Sequence, residues 1–199
     1  MVECKEKTNV KKQNENGLDQ FFTKPAEAKR LFEVVGDKLD LSEFDLFIEP
    51  SVGANSFGSL FPKSKSLLMD IDPPKDIFVI DDKTRKSVKV KTKDAKVKII
   101  QMDFLSFGSA FEALGLVTNK KVICIGNPPF GKNSSLAVKF FNICAKFCDT
   151  ICFIIPRTFK RISIQNQLDL NFHLSYSEDL PFSSKDCVFE PPMNAKCCF

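Results

Sequence analysis

Val122–Phe130 reads VICIGNPPF, and the reading of the whole chain turns on it. A short apolar run rich in β-branched residues and bounded by turn residues has the signature of a buried strand. It ends in Asn127-Pro128-Pro129-Phe130. Each proline ring fixes its φ and removes a backbone donor, so the local carbonyls have no partner within the turn. The Asn127 side chain adds another acceptor. An exocyclic amine carries two N–H groups, and two such acceptors hold both, leaving the nitrogen lone pair turned outward. Phe130 supplies a flat face for a planar group. In open α/β sheets, ligand chemistry sits just beyond the carboxyl ends of the strands. The plainer reading is a strand-ending turn punctuated by prolines, and the flanking segments decide between the two.

Downstream, the pattern predicts a helix from about Ser134 to Phe147, with Leu136, Phe140, Phe141 and Cys144 on its inner face, then a strand over Thr150–Ile155. Upstream lie three further strands: Phe44–Ile48 closed by Glu49 and Pro50, Ser66–Asp70 ending in acids Asp70 and Asp72, and Val97–Met102 closed by Asp103. The run EPSVGANSF after the first of these carries Gly53 and leads into a short helix, the shape of a nucleotide-cofactor turn. Asp70 lies about twenty residues beyond that turn, where such folds place a carboxylate on ribose hydroxyls. Before the first strand, Thr23 is read as the cap of a helix with Pro25 in its first turn, running through Leu31, Phe32 and Val35 and ended by Gly36. Strands alternating with helices at these lengths indicate an α/β fold with a parallel, doubly wound sheet.

Residues 1–16 are polar and aperiodic and read as a flexible tail; 17–199 read as one domain. An insertion over about 75–96 alternates enough to form a basic hairpin. Its Lys and Arg side chains either meet phosphates or keep an edge strand soluble. After the fifth strand, a polar basic stretch over 157–171 leads to Phe172–Tyr176 and Cys187–Phe189, which read as a closing antiparallel strand pair.

Composition narrows the class. Hydrophobic content of 43% and charged content of 27% are globular values, and a net charge of +4 permits a nucleic-acid partner without requiring one. The eight cysteines sit mostly inside apolar patterns. Cys144 and Cys148 share a helical face, no CxxC pair occurs, and the one histidine, His173, has no neighbouring ligand set. Buried free thiols in a reducing compartment, with no metal site, are the expectation. No apolar run is long enough to span a membrane and no signal-peptide pattern is present, so a soluble, intracellular protein is expected.

Taken together, these stretches resemble the class I methyltransferases that use S-adenosylmethionine (SAM), in the amino-methylating branch with an Asn/Asp-Pro-Pro-aromatic motif. The resemblance covers nearly everything from Leu18 onward, with the cofactor half preceding the catalytic turn. It implies a Rossmann-like fold: a central, mostly parallel seven-stranded sheet, helices on both faces, and a C-terminal antiparallel strand pair. It further implies SAM contacts from Phe22 and Thr23, from Glu49, Ser51 and Gly53 in the cofactor loop, and from Asp70 on the ribose, with Asp72 as second choice. Ile71 would pack on the adenine, and Asp103 with Phe104 would cradle its edge. Asn127, Pro128, Pro129 and Phe130 would carry catalysis. Asn55 departs from the pattern, since relatives often carry a second glycine there; Asn tolerates left-handed backbone better than most residues.

The activity the resemblance implies is methyl transfer to an exocyclic amine, foremost N6 of adenine in RNA or DNA, the base being unpaired or flipped out. Nucleic acid is then the expected substrate, and a protein partner is one source of target recognition, because no separate recognition domain is visible. Two rivals stand beside this: a protein glutamine N-methyltransferase, whose relatives more often have Tyr in place of Phe130, and a non-catalytic methyltransferase-like subunit that binds RNA or scaffolds a partner.

Overall fold

Five of the six residues from Val122 to Asn127 form a strand buried along its whole length, and the rest of the fold is layered on it. The computed structural model describes residues 21–107, 119–182, 186–193 and 195–199. The tail expected over 1–16 lies outside them.

In chain order the strands are β1 (Phe22–Thr23), β2 (Leu46–Glu49), β3 (Ser66–Asp70), β4 (Asp76–Ile80), β5 (Ser87–Lys91), β6 (Ile99–Gln101), β7 (Val122–Gly126), β8 (Thr150–Phe153), β9 (Ile155–Pro156), β10 (Phe189–Glu190) and β11 (Cys197–Cys198). The described helices are α1 (Pro25–Lys38), α2 (Phe104–Phe107), α3 (Ser135–Cys144) and α4 (Ile162–Gln165). The central sheet has five parallel strands in the order β6-β3-β2-β7-β8. Phe47 pairs with Ile123 and Ile48 with Cys124, so the first strand of the sheet lies directly beside the VICIG strand. The chain runs outward from β2 in one direction and from β7 in the other. This order is compatible with a Rossmann-like fold, and its switch point falls between β2 and β7.

Alternation along the strands divides the core in two. Phe47, Leu68, Ile123 and Ile125 face one layer with Ala28, Leu31 and Val35 of α1. Ile48, Met69, Val122, Cys124 and Phe153 face the other, with Phe104 of α2 and Phe140 and Cys144 of α3. A strand buried on both faces reads as a continuous apolar run, which is why VICI shows no polar alternation.

Several expectations are corrected. Among the described residues the sheet is five-stranded, not seven-stranded, and the other strands form three separate two-stranded units, β1-β10, β9-β11 and the β4-β5 hairpin. The antiparallel closing pair is β9 with β11, Ile155 facing Cys198. Phe172–Tyr176 forms no strand. Its side chains are used one at a time instead: Phe172 packs edge-on against Phe141 at 5.7 Å, and Lys38 lies over the Tyr176 ring. Phe189 pairs with Thr23 in β1 rather than with residues 172–176. The fifth strand breaks at Ile154, whose N–H is bonded to Gly126 O, before β9 begins. Thr23 is a strand residue and not the cap of α1; Lys24 stands at the cap with no side-chain bond, and Pro25 begins the helix. Gly36 does not end α1, which runs two residues further to Lys38 before Leu39 N–H closes on Val35 O. The expected basic hairpin is present as β4 and β5, paired from Asp76–Lys91 to Ile80–Ser87.

Candidate functional site

The carboxyl ends of β2, β3 and β7 meet at the switch point, and three loops leave from there. The loop after β2 begins at Glu49, which is 2% exposed. Glu49 Oε2 accepts from Gly58 N–H at 2.7 Å. Burial, and then the neighbouring charge of Asp70, push the Glu49 carboxyl well above its ordinary value, against the opposing pull of that hydrogen bond.

Gly53 sits at the tip of this loop with φ +49. A Cβ there would stand 2.7 Å from the Phe22 ring, so only glycine lets β1 bring Phe22 onto the turn. Asp70, at the end of β3, ties the same turn down: its Oδ2 accepts from Gly53 N–H at 2.7 Å and its Oδ1 from Asp72 N–H at 2.8 Å. Burial raises the Asp70 pKa, partly offset by these two bonds. Asn55 takes the left-handed conformation with φ 63, is wholly buried, and donates from Nδ2 to Phe78 O at 2.7 Å. Asn55 thus fastens the hairpin to the loop after β2.

The loop after β7 faces this one. Ser51 Oγ donates to Asn127 O at 3.1 Å, bridging the two loops across the switch point. Asn127 Nδ2 donates to Phe21 O at 3.0 Å. A carbonyl accepts only, so this bond fixes which end of the amide is nitrogen and leaves Oδ1 as a free acceptor. Asn127 Oδ1 is buried and has no partner among the described residues. The other two such atoms are Thr23 Oγ1 and Asn55 Oδ1. Buried polar atoms are nearly always satisfied in folded proteins. All three exceptions belong to the segments that build this one rim.

Pro128 is buried and Pro129 and Phe130 are half-buried; Phe130 packs at the edge of the α1-side core. Phe130 O accepts from Leu136 and Ala137 N–H, which welds the motif to the start of α3. Gly131 follows with φ +67, and a Cβ on it would meet Leu136 at 2.7 Å.

The remaining sequence-predicted residues are placed as follows. Ile71 follows Asp70 at the end of β3 and is 52% exposed, an apolar side chain open to solvent. Asp103 accepts from Leu105 N–H at 3.0 Å and Ser106 Oγ at 2.9 Å, the bonds of a helix cap for α2. Phe104 is 2% exposed and packs at 5.1 Å, tilted, on Phe140 in the α3-side core layer. Sequence reasoning missed Phe21, whose carbonyl orients Asn127, and Ser56, whose Oγ donates to Thr23 O at 2.6 Å. It also missed Gly58, where a Cβ would stand 2.4 Å from Asn55 Oδ1 and 2.9 Å from Glu49 Oε2. The visible signal for Gly58 was a second glycine nine residues after Glu49. Backbone partners such as Phe21 O leave no mark in sequence.

Among the described residues one trio of potential metal ligands converges: the Sγ atoms of Cys124, Cys144 and Cys148 lie within 4.8 Å of one another. They are enclosed in the α3-side core, and burial pushes the Cys124 and Cys148 thiols well above their ordinary range. Neutral buried thiols pack as small apolar groups. No helix among the described residues is long and apolar enough to cross a membrane.

Compared with known proteins, the chain matches no family model and no curated relative. The functional reading therefore stands on the geometry of the rim.

Proposed function

We propose that this chain is a SAM-dependent methyltransferase of the class I, Rossmann-like type, transferring a methyl group to an exocyclic amine, N6 of adenine in RNA or DNA. The observation that carries the proposal is Asn127 Oδ1: a buried acceptor at the carboxyl end of a switch-point strand, its amide oriented by the Nδ2 bond to Phe21 O and its oxygen without a donor among the described residues.

The residues present fit the cofactor. Gly53 leaves a turn that a Cβ would fill, Phe22 lies against it, and Thr23 Oγ1 is an unpartnered acceptor and donor beside it. Glu49 and Asp70 concentrate buried carboxyl oxygens at adjoining strand ends, a match for ligand hydroxyls. Ile71 offers an apolar surface to a base. Phe22, Thr23, Glu49, Ser51, Gly53, Asp70 and Ile71 would hold SAM, which supplies an electrophilic methyl group on a sulfonium. Asp103 is close enough in sequence to β6 to meet the adenine edge once its capping bonds are shared, each carboxylate oxygen having two lone pairs.

The protein's own work is orientation. Asn127 Oδ1 and the Pro128 carbonyl would accept the two N–H groups of the amine, withdrawing its lone pair from ring conjugation and aiming it outward. Placement of this kind is worth up to roughly 7–11 kcal/mol when ideal. The same oxygens meet the positive charge that develops on nitrogen. Phe130 would stack on the acceptor ring, and the surplus proton leaves to water.

Incubation with methyl-tritiated SAM and, separately, RNA, DNA and a protein mixture tests the assignment. Label in RNA or DNA supports it. Label confined to protein glutamine makes the chain the alternative amide methyltransferase. Calorimetry that detects no SAM binding removes enzymatic methylation and leaves a scaffold.

A further inference from the structure

Charge is partitioned unevenly along this chain. Between Lys75 and Lys98 there are nine Lys or Arg residues against four acids, whereas the remaining 20 basic and 21 acidic residues nearly cancel. The β4-β5 hairpin and the strap that returns it to β6 therefore hold all of the protein's +4 excess. All nine cations are exposed. Only Lys91 is ion-paired among the described residues, to Asp76 at 2.7 Å. The acids are already engaged for the most part. Asp81 accepts from Thr84 N–H and Oγ1, and Asp82 pairs with Lys63 outside the hairpin. Asp94 lies next to Lys93 in the strap.

The hairpin is not a loose flap. Phe78 N–H donates to Ala54 O at 2.8 Å and Asn55 Nδ2 to Phe78 O at 2.7 Å, so β4 is sewn to the loop that carries Gly53. Ile77 is wholly buried beneath it. Thr92 N–H to Lys75 O closes its base, where a hollow of about 400 Å³ is lined by Pro73, Pro74, Lys75, Lys91, Thr92 and Lys93. The cationic surface is thus fixed to the same end of the sheet as Asn127. Lys89 and Lys91 stand at alternate positions of β5, about 7 Å apart along an extended strand, which is commensurate with the phosphates of an extended nucleotide strand, and Lys93 follows in the single 3-10 turn Thr92–Asp94. A ribbon guarded only against edge pairing needs charge but not one sign of it. The strong excess of one sign, set against a nearly neutral remainder, is a feature of polyanion recognition.

We infer that the β4-β5 hairpin and the strap to Lys98 grip the phosphate backbone of an unpaired nucleic-acid strand and present its bases to the Asn127 rim. This rests on the proposed methyl transfer to adenine for the identity of the strand, and names the surface that binds it. The contacts are electrostatic and carry no base sequence.

The test uses the full chain and its triple variant Lys86→Gln, Lys93→Gln, Lys96→Gln, three exposed lysines with no ion pair. Binding of a fluorescein-labelled oligoadenylate, as RNA and as DNA, is followed by anisotropy between about 50 and 200 mM salt. The expected result is a wild-type log–log salt slope that the variant reduces by about 2, at about 0.7 for each lost single-strand contact. SAM binding by calorimetry is unchanged in the variant, which shows that it is folded. Oligonucleotide binding indifferent to the three substitutions, with SAM binding intact, overturns the hairpin assignment and leaves methyl transfer standing. Wild-type protein that binds the strand through these lysines yet binds no SAM supports the hairpin and overturns methyl transfer. Equal affinity for polyglutamate at the same salt overturns the choice of a nucleic acid.

Discussion

Asn127 carries the account at the residue scale because its amide is asymmetric in its surroundings. Nδ2 is spent on Phe21 O, and the buried Oδ1 has no donor among the described residues. Asn127→Ala removes that acceptor and is expected to lower kcat by roughly 10²–10³, the loss typical of a missing transition-state hydrogen bond, with SAM affinity retained. Asn127→Asp keeps an oxygen at the rim but turns another against Phe21 O, so its rate falls between wild type and Asn127→Ala; steady-state kinetics orders the three. Glu49 gives a prediction of a different kind. Its carboxyl stays protonated in the folded chain at pH values where the unfolded one, with an ordinary value of 4.5, has ionised. The folded state then binds more protons, so this contribution is complete below 4.5 and is lost as pH rises through the raised folded value. Asp70 acts in the same direction. Thermal melts of the ligand-free protein should show a shallower decline toward neutral pH for Glu49→Gln, which keeps an acceptor for Gly58 N–H. An identical decline would show that Glu49 ionises normally. Asn127, Glu49 and Gly53 were legible in sequence because each type has a strong positional meaning at a strand end. Thr23 was misread, because a Thr before Lys-Pro fits both a cap and a short strand, and only pairing with Phe189 decides.

At the scale of elements, the site is two loops held together across the gap between β2 and β7. Ser51 bridges to Asn127 O, and Asp70 and Glu49 pin the glycine turn from behind. Gly58 is where this assembly is tightest. Gly58→Ala forces its methyl group against Asn55 Oδ1 and Glu49 Oε2, an overpacking expected to cost about 1–3 kcal/mol. Chemical denaturation measures that loss, and SAM affinity should fall with it because the Glu49 anchor is displaced. The four strands β2, β3, β6 and β7 were readable to within about two residues because buried parallel strands are continuous apolar runs. The two-residue strands β1 and β9 were not, and for β10, which the strand expected over Cys187–Phe189 overlaps at Phe189, the partner was not. Their existence depends on which distant segment arrives alongside, and nothing in FHLSY distinguishes a strand from a coil whose Phe172 and Tyr176 are each claimed by a helix.

For the molecule as a whole, a nearly neutral α/β body carries one cationic attachment sewn to the rim that holds Asn127. Nucleic-acid binding should therefore weaken with salt only as steeply as a handful of phosphate contacts allows, a slope of about −3 to −5 at 0.7–0.9 per contact. A much steeper slope in anisotropy titrations would show that cations outside the hairpin and strap also meet the strand. The doubly wound order was legible from the alternation of strand and helix, and the switch point from the place of NPPF after the fourth strand of that series. The number of strands in the sheet was not, since sequence gives segments and not their partners. The most direct measurement of the central claim is mass spectrometry of nucleosides from oligoadenylate incubated with SAM bearing a deuterated methyl group. Wild-type protein should yield adenosine labelled at N6, and Asn127→Ala at most about one hundredth as much; no label from the wild type, or equal label from both, contradicts the account.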